Sequence, residues 1–137
     1  MSERVFVLWS CAIIISLCLI NYSVRYHEDM KLIRYLQLSV SPAIPQINCL
    51  YIRPGRYSRT YNKNIIFLKV RRPDGKFYDI HTLKYVLLHE VSHIICKVND
   101  FSKSNPHSAD FYVVFDNVKK LAYEKNVLEK RPIDPNY

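Results

Sequence analysis

His89-Glu90-Val91-Ser92-His93 places two imidazoles four residues apart, with a carboxylate beside the first. On an α-helix such a pair shares one face, about one turn apart. Both rings can then reach one cation, and Glu90 can take a proton from water held there. This H-E-x-x-H spacing predicts one catalytic Zn2+ held by His89 and His93, with Glu90 as general base for peptide-bond hydrolysis. The bland alternative is a pair of core histidines beside a solvated glutamate. A buried helix seldom carries three such polar groups without a use for them.

Catalytic zinc takes three protein ligands and keeps one position open, so a third donor is required. His107, Asp110, Glu124 and Glu129 follow the motif. Cys96 and Asn99 stand where the extended H-E-x-x-H-x-x-G-x-x-H arrangement would have its Gly and its third His. We expect His107 as the third ligand, because the intervening loop is long enough to reverse the chain and bring the start of the next helix back to the metal. Asp110 and a glutamate farther along that helix, Glu124, are the alternatives. A closed, structural site would need a fourth protein ligand, for which Cys96 and Asp110 are the candidates.

These residues need a scaffold. Thr82 to Cys96 has no Gly or Pro, and Leu83, Val86, Leu87, Val91, Ile94 and Ile95 recur near a 3.6-residue period. This predicts a largely buried helix with Thr82 as its N-cap. Asn105-Pro106 is expected to open a second helix running to about Lys125, with a stripe of Phe111, Val114, Phe115, Val118, Leu121 and Ala122. Ile65 to Val70 reads as a strand and as the edge beside the cleft. Gln46 to Ile52 and Phe77 to Ile80 are further strand candidates, Tyr57 to Asn64 a loop, and Pro73-Asp74-Gly75 a turn. Tyr26 to Val40 reads as a helix with Met30, Ile33, Leu36 and Leu38 on its apolar side, and Arg131 to Tyr137 as an extended tail. The expected fold class is α+β, a small zincin-like domain with an active-site helix and a following helix against a short antiparallel sheet.

From Val5 to Val24 the chain carries no charge. Twenty helical residues span ~30 Å, the thickness of a bilayer's hydrocarbon core, and Trp9 and Tyr22 lie toward the two ends. We expect a single-pass membrane anchor in 1–24, a helix and linker in 25–45, and the peptidase domain in 46–137. A cleavable signal peptide and a buried core helix are the rivals. Arg25, Lys31 and Arg34 follow the span whereas Arg4 alone precedes it, which favours a cytoplasmic catalytic domain. Cys11 and Cys18 fall in the span, leaving Cys49 and Cys96, too few for a disulfide framework. Cys96 reads as a buried free thiol.

The chain has a formal net charge of +8. Arg53, Arg56, Arg59, Lys63, Lys69, Arg71, Arg72 and Lys76 stand against Asp74 alone, interleaved with Tyr57 and Tyr61. The segment Arg53–Lys76 is therefore a candidate contact for anionic lipid or nucleic acid, with a solvated basic face as the alternative.

The runs LLHEVSHIIC and NPHSADFYVVFDNVKKLA resemble the small zinc metallopeptidases of the WLM and SprT-like kind. The stretch from Arg72-Pro-Asp-Gly75 through HEVSH to Ile133-Asp-Pro-Asn-Tyr137 is similar to uncharacterised WLM-like proteins of large DNA viruses. The likeness runs from about Ile65 to Tyr137. It implies a zincin-like fold, a zinc metalloendopeptidase acting on protein or peptide, and a third His, here His107, opening the helix that carries Phe111 and Tyr112. For nuclear members it implies cleavage of proteins crosslinked to DNA. A non-catalytic, membrane-anchored zinc or basic-patch interaction protein is the reading from outside the enzymes.

Overall fold

The computed structural model describes residues 2–98 and 106–137. It is a mixed fold. One long helix, α1 (Glu3–Val40), leads into a 3-10 turn (Pro45–Cys49). Strands β1 (Tyr51–Pro54), β2 (Arg59–Tyr61) and β3 (Ile65–Leu68) follow, then helices α2 (Ile80–Val98) and α3 (Ala109–Glu124).

The apolar run and the expected helix at 26–40 are one uninterrupted element of 38 residues, ~57 Å long at the usual rise. No Gly or Pro interrupts it. Its N-terminal part is apolar and long enough to cross a membrane, and none of that stretch is buried within the protein. Its C-terminal part enters the core through Ile33, Leu36 and Val40. Leu38, expected on the same stripe, is exposed, because two residues past Leu36 lies on nearly the opposite side of a helix.

The expected strand at Gln46–Ile52 is replaced by the 3-10 turn and a strand that starts later. Pro45 suits the first turn of a helix, and the Gln37 amide donates to the carbonyls of Ile47 and Leu50 at 2.7 and 3.3 Å, fastening the turn to α1. The sheet order is β1-β3-β2. The expected antiparallel sheet is instead mixed, because the chain crosses over through β2 before β3: β1 runs parallel to β3 and β2 runs antiparallel to it. Ile65–Val70 was expected at the edge. Its Ile65–Leu68 part forms the centre of the sheet, and the edges are β1 and β2, the latter inside the segment expected to be a loop. The turn between β2 and β3 includes Asn62 in the left-handed region, φ 56°, a conformation Asn tolerates.

Pro73-Asp74-Gly75 forms the expected turn. Gly75 adopts φ 85°, its N–H donates to Arg72 O, and Arg72 N–H donates to Lys76 O at 2.7 Å. Phe77–Ile80 makes a single bridge to Arg71 instead of a strand, since Ile80 already begins α2. The predicted cap also shifts. Asp79 precedes α2, and its carboxylate accepts from Thr82 N–H at 3.0 Å and from the Thr82 hydroxyl at 2.6 Å. Thr82 lies within the first turn and accepts from Asp134 N–H. Asp79→Ala is expected to cost about 1–2 kcal/mol, read as a lower thermal midpoint. An unchanged midpoint would mean that the tail alone holds the start of α2.

That tail is docked. Tyr137 packs on Tyr78 with ring centroids 4.6 Å apart. Its hydroxyl meets Ser58 and donates to Lys69 O, while Arg131 O contacts His81 Nε2 at 2.9 Å. The core lies between the sheet and the helices. Ile52, Ile66 and Leu68 contribute from the sheet, Leu83, Leu87, Leu88 and Val91 from α2, and Phe111, Phe115, Val118 and Ala122 from α3. Leu121, predicted inside the α3 stripe, is partly exposed at 43 %.

Candidate metal centre

α2 carries His89 and His93 on one face, one turn apart, as the spacing requires. Leu87, Leu88 and Val91 bury the remainder of that segment. Ser108 caps α3, its hydroxyl accepting from Phe111 N–H. His107 therefore sits just ahead of the helix and not in its first turn. The expected cap, Asn105, and the loop Asn99–Asn105 lie outside the described residues.

The three imidazoles converge. His89 Nε2 lies 3.1 Å from His93 Nε2 and 3.3 Å from His107 Nε2, and the three ligand atoms all fall within 4.8 Å of one another. Tetrahedral zinc with Zn–N bonds of ~2.0–2.1 Å would hold neighbouring nitrogens ~3.3–3.4 Å apart. Three imidazole nitrogens gathered within 4.8 Å are a donor set that one ion can engage together. A cation satisfies all three at once. The donor set thus fits a metal ion.

Phe111 fixes the rings. It is fully buried and stacks on His93 at 4.3 Å, with His89 and His107 against it at 5.0 and 5.1 Å. Phe115 closes the other side of His89 at 5.2 Å. Among the described residues, the rival donors are not part of the cluster. Glu124 lies at the far end of α3 beside Lys120, and Glu129 pairs with Arg131. Asp110 is exposed. Cys96 is a buried free thiol, as expected.

Glu90 is 6 % exposed, and its side chain makes no hydrogen bond or ion pair among the described residues. Burial pushes its carboxyl up to about 7, with Lys97 drawing it partly back. Burial also lowers His89 and His93 to about 4, helped by repulsion among the imidazoles. In the metal-free protein both rings are therefore neutral at pH 7, the state that binds metal.

The pH dependence of the metal-free chain follows from these shifts. Between about pH 4 and 6.5 the unfolded chain carries protons on His89 and His93 that the folded chain lacks, so their contribution falls as pH is lowered. Glu90 acts oppositely. The folded chain keeps its proton up to about pH 7 while the unfolded chain releases it near 4.5, so this contribution falls as pH rises. Two histidines outweigh one glutamate. Metal-free protein is expected to lose stability on acidification from pH 6.5 to 4.5, by about one proton's worth of slope. Urea midpoints across that window in nonionic detergent test it. A midpoint that holds or rises on acidification would contradict the burial of the two rings.

Lys97 was not singled out from sequence. It lies one turn past His93, and its ammonium donates to Thr60 Oγ1 at 2.7 Å, tying α2 to the edge strand β2. The i, i+4 relation to His93 and i, i+7 relation to Glu90 was the available signal. Tyr137 was likewise indistinguishable among eleven tyrosines. Burial raises its hydroxyl to about 12, and the Glu90 carboxylate contributes to that rise.

Several cations of Arg53–Lys76 have partners within the protein. Arg71 bonds Glu28 and Asp29 of α1, Arg72 faces Asp134, and Arg59 and Lys69 lie over the rings of Phe67 and Tyr78.

The chain is similar to Uncharacterized protein 042R of Invertebrate iridescent virus 3, with 37 % identity over 71 residues. The match covers 48 % of this chain and 45 % of that protein, so the chain spans under half the length of the relative. No family model matches the chain, and no solved structure matches it.

Proposed function

We propose that this chain is a membrane-anchored zinc metalloendopeptidase with a zincin-like fold of the WLM and SprT-like kind. The observation that carries the reading is the convergence of His89, His93 and His107 at a helix that also buries Glu90. His89, His93 and His107 would hold one zinc ion. Zinc bound there would supply a Lewis acid for the scissile carbonyl and a water of lowered pKa. Glu90 accepts the proton of the attacking water and returns it to the leaving amine. Its raised pKa suits both transfers, since a carboxylate of ordinary acidity is a weak acid-base partner at neutral pH. Phe111 and Phe115 keep the rings oriented and exclude water behind them. β2, the sheet's outer strand on this side, offers an edge to which an extended peptide can add, with Lys97 holding Thr60 in place.

The main alternative is a closed structural zinc site. Three nitrogens and no fourth protein donor among the described residues favour an open position, hence catalysis. The apolar, unburied stretch of α1 supports the anchor.

The test is zinc content of the full chain purified in nonionic detergent, wild type beside His107→Ala. One zinc per chain, with affinity weakened by at least about a hundredfold in the variant, is the expected result. Full zinc in the variant would remove His107 from the site. A folded wild type that takes up no zinc would sink the peptidase reading.

A further inference from the structure

A groove of about 410 Å3 runs between α1 and β1, on the side of the protein away from the sheet edge β2. His27, Lys31 and Arg34 line it from the helix and Arg53 from the strand, with Met30 and Ile52 among its apolar walls. Among the described residues, no carboxylate lines it. Glu28 and Asp29, the two acids of the same helical stretch, are turned to Arg71 at 3.0 and 2.7 Å. The fold thus segregates charge, neutralising the acids elsewhere and leaving the groove cationic.

Its height along α1 matters as much as its charge. The apolar run ends at Val24. His27 to Arg34 lie three to ten residues farther, ~4.5–15 Å along the axis, and the polar layer of a bilayer is ~5–8 Å thick on each side. The near end of the groove, at His27, therefore sits at headgroup level when residues 5–24 span the bilayer, and Lys31 and Arg34, ~10 and ~15 Å along the axis, extend their long side chains back toward that level, because helical side chains lean toward the N-terminus. A second groove shows how low the domain reaches: Pro54, Gly55 and Arg56 share it with Cys18, Asn21 and Tyr22 of the apolar run itself.

We infer that the groove between α1 and β1 seats the phosphate headgroup of an anionic phospholipid, on Lys31, Arg34 and Arg53. The inference rests on the anchor reading given above and names what the anchored domain binds. The exposed apolar side of α1 continues from the groove and gives acyl chains a surface to lie on. A free anion has no use for that surface, and a nucleic acid has no place in the headgroup layer.

The test uses the full chain in nonionic detergent, with native mass spectrometry counting adducts from an equimolar mixture of palmitoyl-oleoyl phosphatidylglycerol and phosphatidylcholine. Wild type is expected to retain phosphatidylglycerol preferentially. Each cation near a headgroup contributes roughly fivefold, so Lys31→Gln/Arg34→Gln/Arg53→Gln should lower that retention on the order of a hundredfold. Lys63→Gln/Lys120→Gln/Lys125→Gln, which removes the same charge from exposed sites elsewhere, should keep the preference. Lys31→Glu alone, a milder change to the fold, should also weaken it. Equal retention of the two lipids, or equal loss in both triple variants, would overturn the proposal. So would displacement by millimolar inorganic phosphate, which would make the occupant a free anion. Tighter retention of a single-stranded oligonucleotide, lost with the same three residues, would reassign the groove to nucleic acid. The anchor is read separately, by alkaline carbonate washing of phosphatidylcholine vesicles carrying the chain. Extraction there, with lipid preference intact in detergent, would overturn the anchor and still support the groove.

Discussion

Glu90→Gln is expected to lower peptide hydrolysis on the order of a thousandfold while leaving one zinc per chain. The amide keeps the shape of the side chain and cannot accept the proton. Glu90 is not part of the nitrogen cluster, so metal uptake should be untouched. Stability should move the other way from activity. Above about pH 7 the folded wild type must ionise a buried carboxyl, a cost the neutral amide avoids, so the variant should melt no lower than wild type at pH 8. Turnover and zinc content, measured on the same preparation, decide the matter. Unchanged turnover would move the proton transfer to another group, and lost zinc would make Glu90 a ligand.

Phe111→Ala is expected to have the largest structural effect. The ring is fully buried and touches all three imidazoles. Removing a buried Phe costs about 3–5 kcal/mol. The same deletion frees the rings, so zinc affinity should fall along with the thermal midpoint. Phe111→Leu refills most of the space and should recover most of the stability, yet it lacks the flat face that stacks on His93. The Leu variant should therefore remain folded and still bind zinc more weakly than wild type in a chelator competition. Full affinity in a folded Leu variant would mean that the helices alone orient the rings.

The parts of this protein legible in its sequence are those whose cause is local. His89 and His93 sit together because helical spacing puts them there. The α2 stripe of Leu83, Val86, Leu87 and Val91 is buried as its period demands, and Asp74-Gly75 turns as its residues prefer. His107 reaches the other two through chain reversal, which loop length permits without requiring. What escaped was set by tertiary pairing. Arg59-Thr60-Tyr61 has no apolar alternation to announce a strand, with only Thr60 less than exposed. It is a strand because β3 offers a hydrogen-bonding edge and Lys97 reaches across to Thr60. The shift of the edge from β3 to β2 follows from the same unseen strand. Pro45 and the Gln37 amide turned an apolar stretch into a 3-10 turn for reasons lying ten residues away.

The unbroken α1 has a mechanical corollary. A flexible linker of ten residues would let a tethered domain wander over roughly 16–19 Å. A continuous helix, cross-braced by Arg71 to Glu28 and Asp29 and sunk into the core at Ile33, Leu36 and Val40, allows almost none of that travel. With residues 5–24 in a bilayer, the three histidines ride at one fixed altitude above the lipid. Such a strut works as a ruler: a polypeptide would be cut according to how far its susceptible bond stands from the surface as well as by its sequence.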